Sequence, residues 1–247
     1  MSFGARVCYS IVLVVAIGTA WWMTHRKQQQ LNLSRSQRVL IGFFAFLGAG
    51  VGAKIPFLLE QGWNGVLQGS VWFADGKTIL GGIVGGYLAV EIAKGIGGIR
   101  VRTGDSFAVP VAIAICVGRL GCFLAGCCYG QVTHMPWGVN FHIPTDPNPT
   151  LRHPTQLYEM AFHLLAAGVL MLCDRYRWIR GNQLKAYFIA YFAFRFVTEW
   201  LRPEAQVWLG LTLYQLASAV LIAVLLLLWY VQDKMVSDHS PFAGSVP

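Results

Sequence analysis

Three stretches of this chain hold residues able to do chemistry. YFAFRFVTEWLRPE, residues 191–204, sets Arg195, Glu199 and Arg202 at i, i+4 and i+7, on one face of a helix. Two guanidiniums against one carboxylate leave a positive charge that an anion would complete. The structural alternative is that Glu199 only neutralises an arginine inside a helix bundle. GRLGCFLAGCCYG, residues 118–130, places Arg119 one turn before Cys122 and gathers Cys122, Cys127 and Cys128. RHPTQLYEMAFH, residues 152–163, begins with Pro154 suited to the first turn of a helix. Glu159 and His163 follow one turn apart, so the carboxylate can orient the imidazole; the plainer reading is a His163 bonded within the bundle. Tyr158 has a hydroxyl that can reach a substrate, and His153 sits at the mouth.

Arginine suits phosphate because its planar fork donates two parallel hydrogen bonds and stays charged. The cysteines, with His134, His142 and His153, have the ligand types of a soft metal site. Their spacing argues against one: no CxxC pair occurs, and adjacent Cys127 and Cys128 are expected not to ligate together in relaxed geometry. No metal is expected. In an oxidising compartment a disulfide from Cys122 to Cys127 or Cys128 is the stronger expectation. Packing thiols are the plain alternative, as for Cys8, Cys116 and Cys173.

The elements that position these residues follow from composition. Hydrophobic residues make up 55% of the 247 and charged ones 12%, the balance of an integral membrane protein. Windows long enough to cross a hydrocarbon core occur at residues 5–23, 39–59, 78–94, 106–125, 155–172, 184–201 and 207–231. Their backbones must be satisfied internally and the alternation of a barrel is missing, so helices are expected: an all-α polytopic fold of about seven spans. Trp63 and Trp72 suit an interfacial segment over 63–76. Gly48, Gly52, Gly81, Gly82, Gly85 and Gly86 are spaced for close helix contact. One transmembrane domain is expected over 1–232, with a disordered cytoplasmic tail over 233–247.

Basic residues set the orientation. The first, third and fifth loops hold eleven, namely Arg26, Lys27, Arg35, Arg38, Lys94, Arg100, Arg102, Arg175, Arg177, Arg180 and Lys185; the even loops hold three, Lys77, Arg152 and Arg202. The expectation is N-terminus outside and C-terminus inside. The first span has its basic cluster after it and reads as a retained helix, not a signal peptide. Much of the +8 net charge lies in these loops, so no nucleic-acid partner is implied.

Ionisable residues at membrane depth need a partner, an interior or water. Lys54, Glu91, Arg119, Glu159, His163, Arg195 and Glu199 qualify. Glu91, with Lys94, lies near a boundary where long side chains reach the headgroups. Arg119 and Arg195 fall toward the outer half, which suggests a phospholipid headgroup pocket; a structural ion-pair network is the competing reading.

In order, GRLG, F, G and YG within 118–130, PWG at 136–138, RHPTQLYE at 152–159, and FRF, E and RP within 194–203 resemble the bacterial prolipoprotein diacylglyceryl transferase family over most of the chain. The resemblance implies transfer of diacylglyceryl from phosphatidylglycerol to the thiol of a lipobox-containing prolipoprotein, or a related thiol acceptor, at the outer face of a bacterial plasma membrane. It implies no cofactor. It assigns catalysis to Arg119, Arg195, Glu199 and His153, and substrate binding to Arg119, Gly121, Gly126, Arg152, Gln156, Tyr158, Glu159 and Arg202; Gly130 matches a signature glycine.

The chain departs from the family signature G-R-x-G-N-F-x-N-G-E at Cys122, Ala125 and Cys127. Lys54 replaces an arginine, and Leu80 stands where the family has a histidine, so His134, His142 or His153 must substitute for it. Three classes stay open at this point: the transferase, a non-catalytic phospholipid-binding membrane protein, and a thiol-redox or metal-handling protein using Cys122, Cys127 and Cys128.

Overall fold

The computed structural model describes residues 3–67, 78–141 and 150–238. It divides into two compact units, one of His25–Arg102 and one of Met1–Thr24 with Thr103–Pro247. Among the described residues there are seven α-helices: α1 Phe3–Gln29, α2 Arg35–Leu67, α3 Ile79–Ile96, α4 Gly104–Leu124, α5 Thr155–Tyr176, α6 Gln183–Thr198 and α7 Leu213–Asp238. The only strands described form two short antiparallel ribbons, β1 Val139–Asn140 with β2 Leu151–Arg152 and β3 Gln206–Trp208 with β4 Leu211–Thr212. Six helices are long and apolar enough to cross a membrane, all but α6. The chain is therefore the all-α polytopic membrane protein expected.

In the smaller unit, α2 starts with a reciprocal cap. The Gln37 N–H donates to Ser34 Oγ at 3.2 Å and the Ser34 N–H to Gln37 Oε1 at 3.1 Å, which satisfies donors the first turn leaves open. The expected glycine contact is present: α2 and α3 approach so closely that a Cβ on Gly52 would lie 2.3 Å from the Gly81 carbonyl oxygen, and one on Gly85 2.3 Å from that of Gly48. Thr78 caps α3 by accepting the Gly81 N–H at 3.3 Å. Residues 63–67 continue α2 instead of starting an interfacial segment; Trp72 lies outside the described residues.

In the larger unit the usual polarity of a globular protein is turned outward-in. On α5, Gln156, Glu159 and His163 are buried, while Leu164, Leu165 and Val169 are 63%, 71% and 58% exposed. That is the pattern of a helix whose apolar face meets lipid and whose polar face meets other helices. The sixteen residues of α6 span only about 24 Å, short of a bilayer core of about 30 Å. Burial, not length, defines this helix: Tyr187, Phe188, Tyr191 and Phe192 on it are all buried. The turn before it is tied to the start of α4, because the Asp105 carboxylate accepts the Gly181 and Gln183 N–H groups at 2.5 and 3.0 Å.

The boundaries near the C-terminus differ from expectation. The window 207–231 opens with the β3–β4 ribbon, and α7 starts only at Leu213. Its cap is again reciprocal, with the Thr212 N–H donating to Gln215 Oε1 at 3.0 Å and the Gln215 N–H to Thr212 Oγ1 at 3.2 Å. The helix runs on to Asp238, so residues 233–238 are not a disordered tail. Asp233 explains this: it accepts the Trp229 Nε1–H at 2.8 Å and the Asn182 side-chain amide at 3.1 Å.

The closeness of α2 and α3 gives a direct expectation. Gly52→Ala forces the helices apart and costs about 1–3 kcal/mol, read as a lowered midpoint of thermal unfolding in detergent, whereas Gly50→Ala, where a Cβ meets nothing within 4 Å, holds or raises the midpoint, since alanine favours the helix.

Candidate active site

The centre of the site is Glu159, on the second turn of α5 and 1% exposed. Arg119, near the end of α4, donates from Nε and Nη2 to its Oε2 at 2.7 and 2.5 Å. Arg202 donates from Nη2 to Oε1 at 2.7 Å, and Arg195 Nη1 lies 3.5 Å from the same oxygen. The Tyr191 hydroxyl donates to Oε2 at 3.3 Å. A second carboxylate, Glu199, pairs with Arg195 Nη2 at 2.7 Å and accepts the Thr212 hydroxyl at 3.1 Å. All five charged side chains are buried. Three guanidiniums against two carboxylates leave this cluster one formal positive charge.

The helix ending at Thr198 tightens into a 3-10 turn over Glu199–Leu201. Arg202 is then extended, at φ −106° and ψ 149°, the conformation a following proline enforces; Pro203 supplies it. Arg202 thereby leaves the line of the α6 face and meets Glu159. The expected three-residue face of Arg195, Glu199 and Arg202 is corrected on this point, since a helix cannot continue to Arg202.

Two donors in the cluster remain unused: Arg195 Nη1 and Arg202 Nε are buried and make no hydrogen bond among the described residues. Buried donors are paired as a rule, and unpaired ones mark a ligand's place or a cost. The Arg195 guanidinium also lies over the Tyr214 ring, 5.4 Å from its centroid, which steers it without using a donor.

Beside the cluster, the segment after α4 lies across the start of α5. Gly130 donates its N–H to the His153 carbonyl at 2.8 Å, and Gln131 its N–H to that of Leu201 at 2.8 Å. A Cβ at Gly130 would meet the Leu201 oxygen at 2.5 Å and His153 Cβ at 2.8 Å, so only glycine fits there. His153 Nδ1 lies 3.2 Å from the Tyr158 hydroxyl, which accepts the Trp137 Nε1–H at 2.8 Å. Which of the two donates in the His153–Tyr158 pair is set by the His153 tautomer. Trp137 belongs to the PWG motif, whose part in the site was not apparent from spacing.

The cysteines are arranged by the end of α4. The Cys127 N–H donates to the Cys122 carbonyl at 3.1 Å and the Gly126 N–H to that of Phe123 at 3.0 Å, with Gly126 at φ 65°: a glycine-terminated helix end that folds the chain back over its last turn. Cys128 follows in the left-handed region, at φ 62°. Thr155 and Gln156 hold the turn, donating to the Cys128 and Cys127 carbonyls at 2.8 and 2.6 Å. The three sulfurs converge to within 4.8 Å of one another. Relaxed geometry is expected to keep adjacent Cys127 and Cys128 from ligating together; the left-handed Cys128 is the departure from it that lets their sulfurs converge. The expected disulfide is not formed; all six cysteines are free thiols. Hydrogen bonds from Cys122 and Cys127 pull the Cys128 thiol below its ordinary value, with Arg119 and Arg202 adding to the effect, while Cys127 is pushed up by its bonds to Cys122 and Cys128.

Other expected residues take different places. Gly121 packs against α1, where a Cβ would meet Val12 and Tyr9 at 3.1 and 3.3 Å, and Gly126 serves the turn. Arg152 lies on β2 with its guanidinium 5.1 Å over the Tyr129 ring. His163 bonds the Tyr187 hydroxyl through Nδ1 at 2.8 Å instead of Glu159, the bundle role that was the plainer reading. Lys54 and Leu80 are buried in the smaller unit, His134 is exposed, and His142 lies outside the described residues. Tyr187, Tyr191, Thr212 and Tyr214 were missed; the i, i+4 series 187, 191, 195, 199 on α6 is the signal that contains the first two.

The model of the prolipoprotein diacylglyceryl transferase family matches residues 4–231. Relatives include proteins called phosphatidylglycerol–prolipoprotein diacylglyceryl transferase from Wolbachia sp. subsp. Brugia malayi, 32% identical over 85% of this chain and 84% of that protein, and from Clostridium tetani, 28% identical over 83% and 84%. One of the same name from Ectopseudomonas mendocina is 28% identical over 87% and 85%.

A hub of this kind makes its members unequal. Glu159→Gln leaves three buried guanidiniums against one carboxylate and lowers stability by about 3–5 kcal/mol; Arg195→Gln, which loses a 3.5 Å approach to Glu159, the 2.7 Å pair with Glu199 and the contact with Tyr214 but leaves Glu159 two guanidiniums and Glu199 the Thr212 hydroxyl, costs less. Denaturation of the two variants in the same detergent checks the order.

Proposed function

The chain belongs to the prolipoprotein diacylglyceryl transferase family, and from that premise we propose that it transfers the diacylglyceryl group of phosphatidylglycerol to the cysteine thiol of a lipobox-containing prolipoprotein. The observation that carries the reading is the arginine cluster, with one formal charge in excess and two unused donors, Arg195 Nη1 and Arg202 Nε. A phosphodiester has one negative charge and oxygens to accept both donors. When the glyceryl C–O bond breaks, the leaving glycerol phosphate gains a second charge, so buried guanidiniums already held in place by Glu159 and Glu199 bind the transition state better than the lipid.

In this reading the acceptor sulfur attacks the glyceryl CH2 carbon, forming a C–S bond as the C–O bond to phosphate breaks. The thiol proton leaves through Tyr158 to His153, the pair at 3.2 Å, and reaches the departing phosphate. His153 thus takes the place of the histidine that Leu80 has displaced. Arg195 and Arg202 hold the leaving group through their unused donors, Arg119 adds its charge, and Glu199 fixes Arg195 in place, while Gln156 and Gly126 shape the turn beside it. The excess of basic residues in the first, third and fifth loops supports an outside N-terminus and inside C-terminus, which sets the chemistry at the outer face of a bacterial plasma membrane.

Incubation with phosphatidylglycerol and a lipobox peptide yields a peptide heavier by one diacylglyceryl group in mass spectrometry. Arg195→Lys, which keeps charge but not the fork, slows this by about 10²-fold or more. Lipid bound without any adduct, across several peptides, would move the assignment to a non-catalytic lipid-binding protein. His153→Gln and Tyr158→Phe slow the reaction at neutral pH, and both are rescued toward the parent rate at high pH, where the acceptor thiol ionises unaided.

A further inference from the structure

The transfer reaction makes no use of the convergence of Cys122, Cys127 and Cys128. Three thiols meet at one point only because Cys128 adopts a left-handed backbone at φ 62°, a conformation that costs a non-glycine residue about 1–2 kcal/mol and that proteins retain where it serves a site. The turn is fixed from outside as well, by Thr155 and Gln156 on the Cys128 and Cys127 carbonyls.

We propose that these three cysteines form a three-coordinate site for a soft monovalent cation, Cu(I). A metal bound by three thiolates at about 2.3 Å holds its sulfurs about 4 Å apart. The sulfurs here lie within 4.8 Å before any ion is bound, so a small contraction completes the site. The donor set selects the ion. Among the described residues no histidine or carboxylate joins the three sulfurs; Zn(II) would need a water as its fourth ligand here, whereas Cu(I) is complete with three thiolates. Binding releases the thiol protons and changes no oxidation state. The site stands independently of the transfer reaction.

The test uses the full chain in detergent, reduced and under anaerobic conditions, titrated with Cu(I) held by a coloured chelator. The chain is expected to take one equivalent from the chelator, and X-ray absorption to report three sulfurs at about 2.3 Å. Cys122→Ser, Cys127→Ser and Cys128→Ser each lose that equivalent, while the Cys8→Ser, Cys116→Ser and Cys173→Ser combination keeps it. Failure of the parent protein to compete overturns the proposal without any variant. So does retention of copper when all three clustered cysteines are serine, or preferential retention of Zn(II) over Cu(I).

Discussion

Glu159 is a carboxylate at membrane depth with almost no exposure, and it is tolerable there only because three guanidiniums surround it. Arg119 and Arg202 depend on it in turn, since among the described residues it is the carboxylate each pairs with, while Arg195 is shared between it and Glu199. This mutual requirement ties the end of α4, the start of α5, the end of α6 and the turn at Arg202 to a single point. The capping of α7 joins the same network, because Thr212 both starts that helix and donates to Glu199. An ion cluster of this kind is poor as a source of stability compared with an apolar core. What it adds is arginines held in place with two buried donors, Arg195 Nη1 and Arg202 Nε, still unused.

The surroundings bury the cluster. α6 is short, and its aromatic side chains Tyr187, Tyr191 and Phe192 are buried with the charges. Tyr191 bonds Glu159 and Tyr187 bonds His163, so the polar ends of an otherwise apolar helix are satisfied internally. Apolar side chains such as Leu164 and Leu165 face outward, where lipid replaces water. The segment after α4 then covers the start of α5 at the one glycine, Gly130, that permits the approach.

Much of this was legible in the residues themselves. Long apolar windows gave the helices, glycines four apart gave the α2–α3 contact, and Arg119, Glu159, Arg195, Glu199 and Arg202 stood out as charges where charges are costly. The hub was not legible. Glu159 seemed the companion of His163, one turn away, because helical spacing reports neighbours on one helix and is silent about partners on others. Arg202 seemed to share a face with Arg195, since periodicity does not register the break that Pro203 imposes.

The cysteines show the same division at closer range. Sequence by itself determined that three thiols lie beside an arginine in a glycine-rich turn, and that they replace other residue types of the family signature. Whether they meet was a tertiary matter. Two left-handed residues, Gly126 and Cys128, reverse the chain over its own helix end, and side chains of α5 hold the reversal. Side-chain direction depends on backbone dihedrals that residue type only biases, so composition and spacing named the participants while the fold alone brought them to one place.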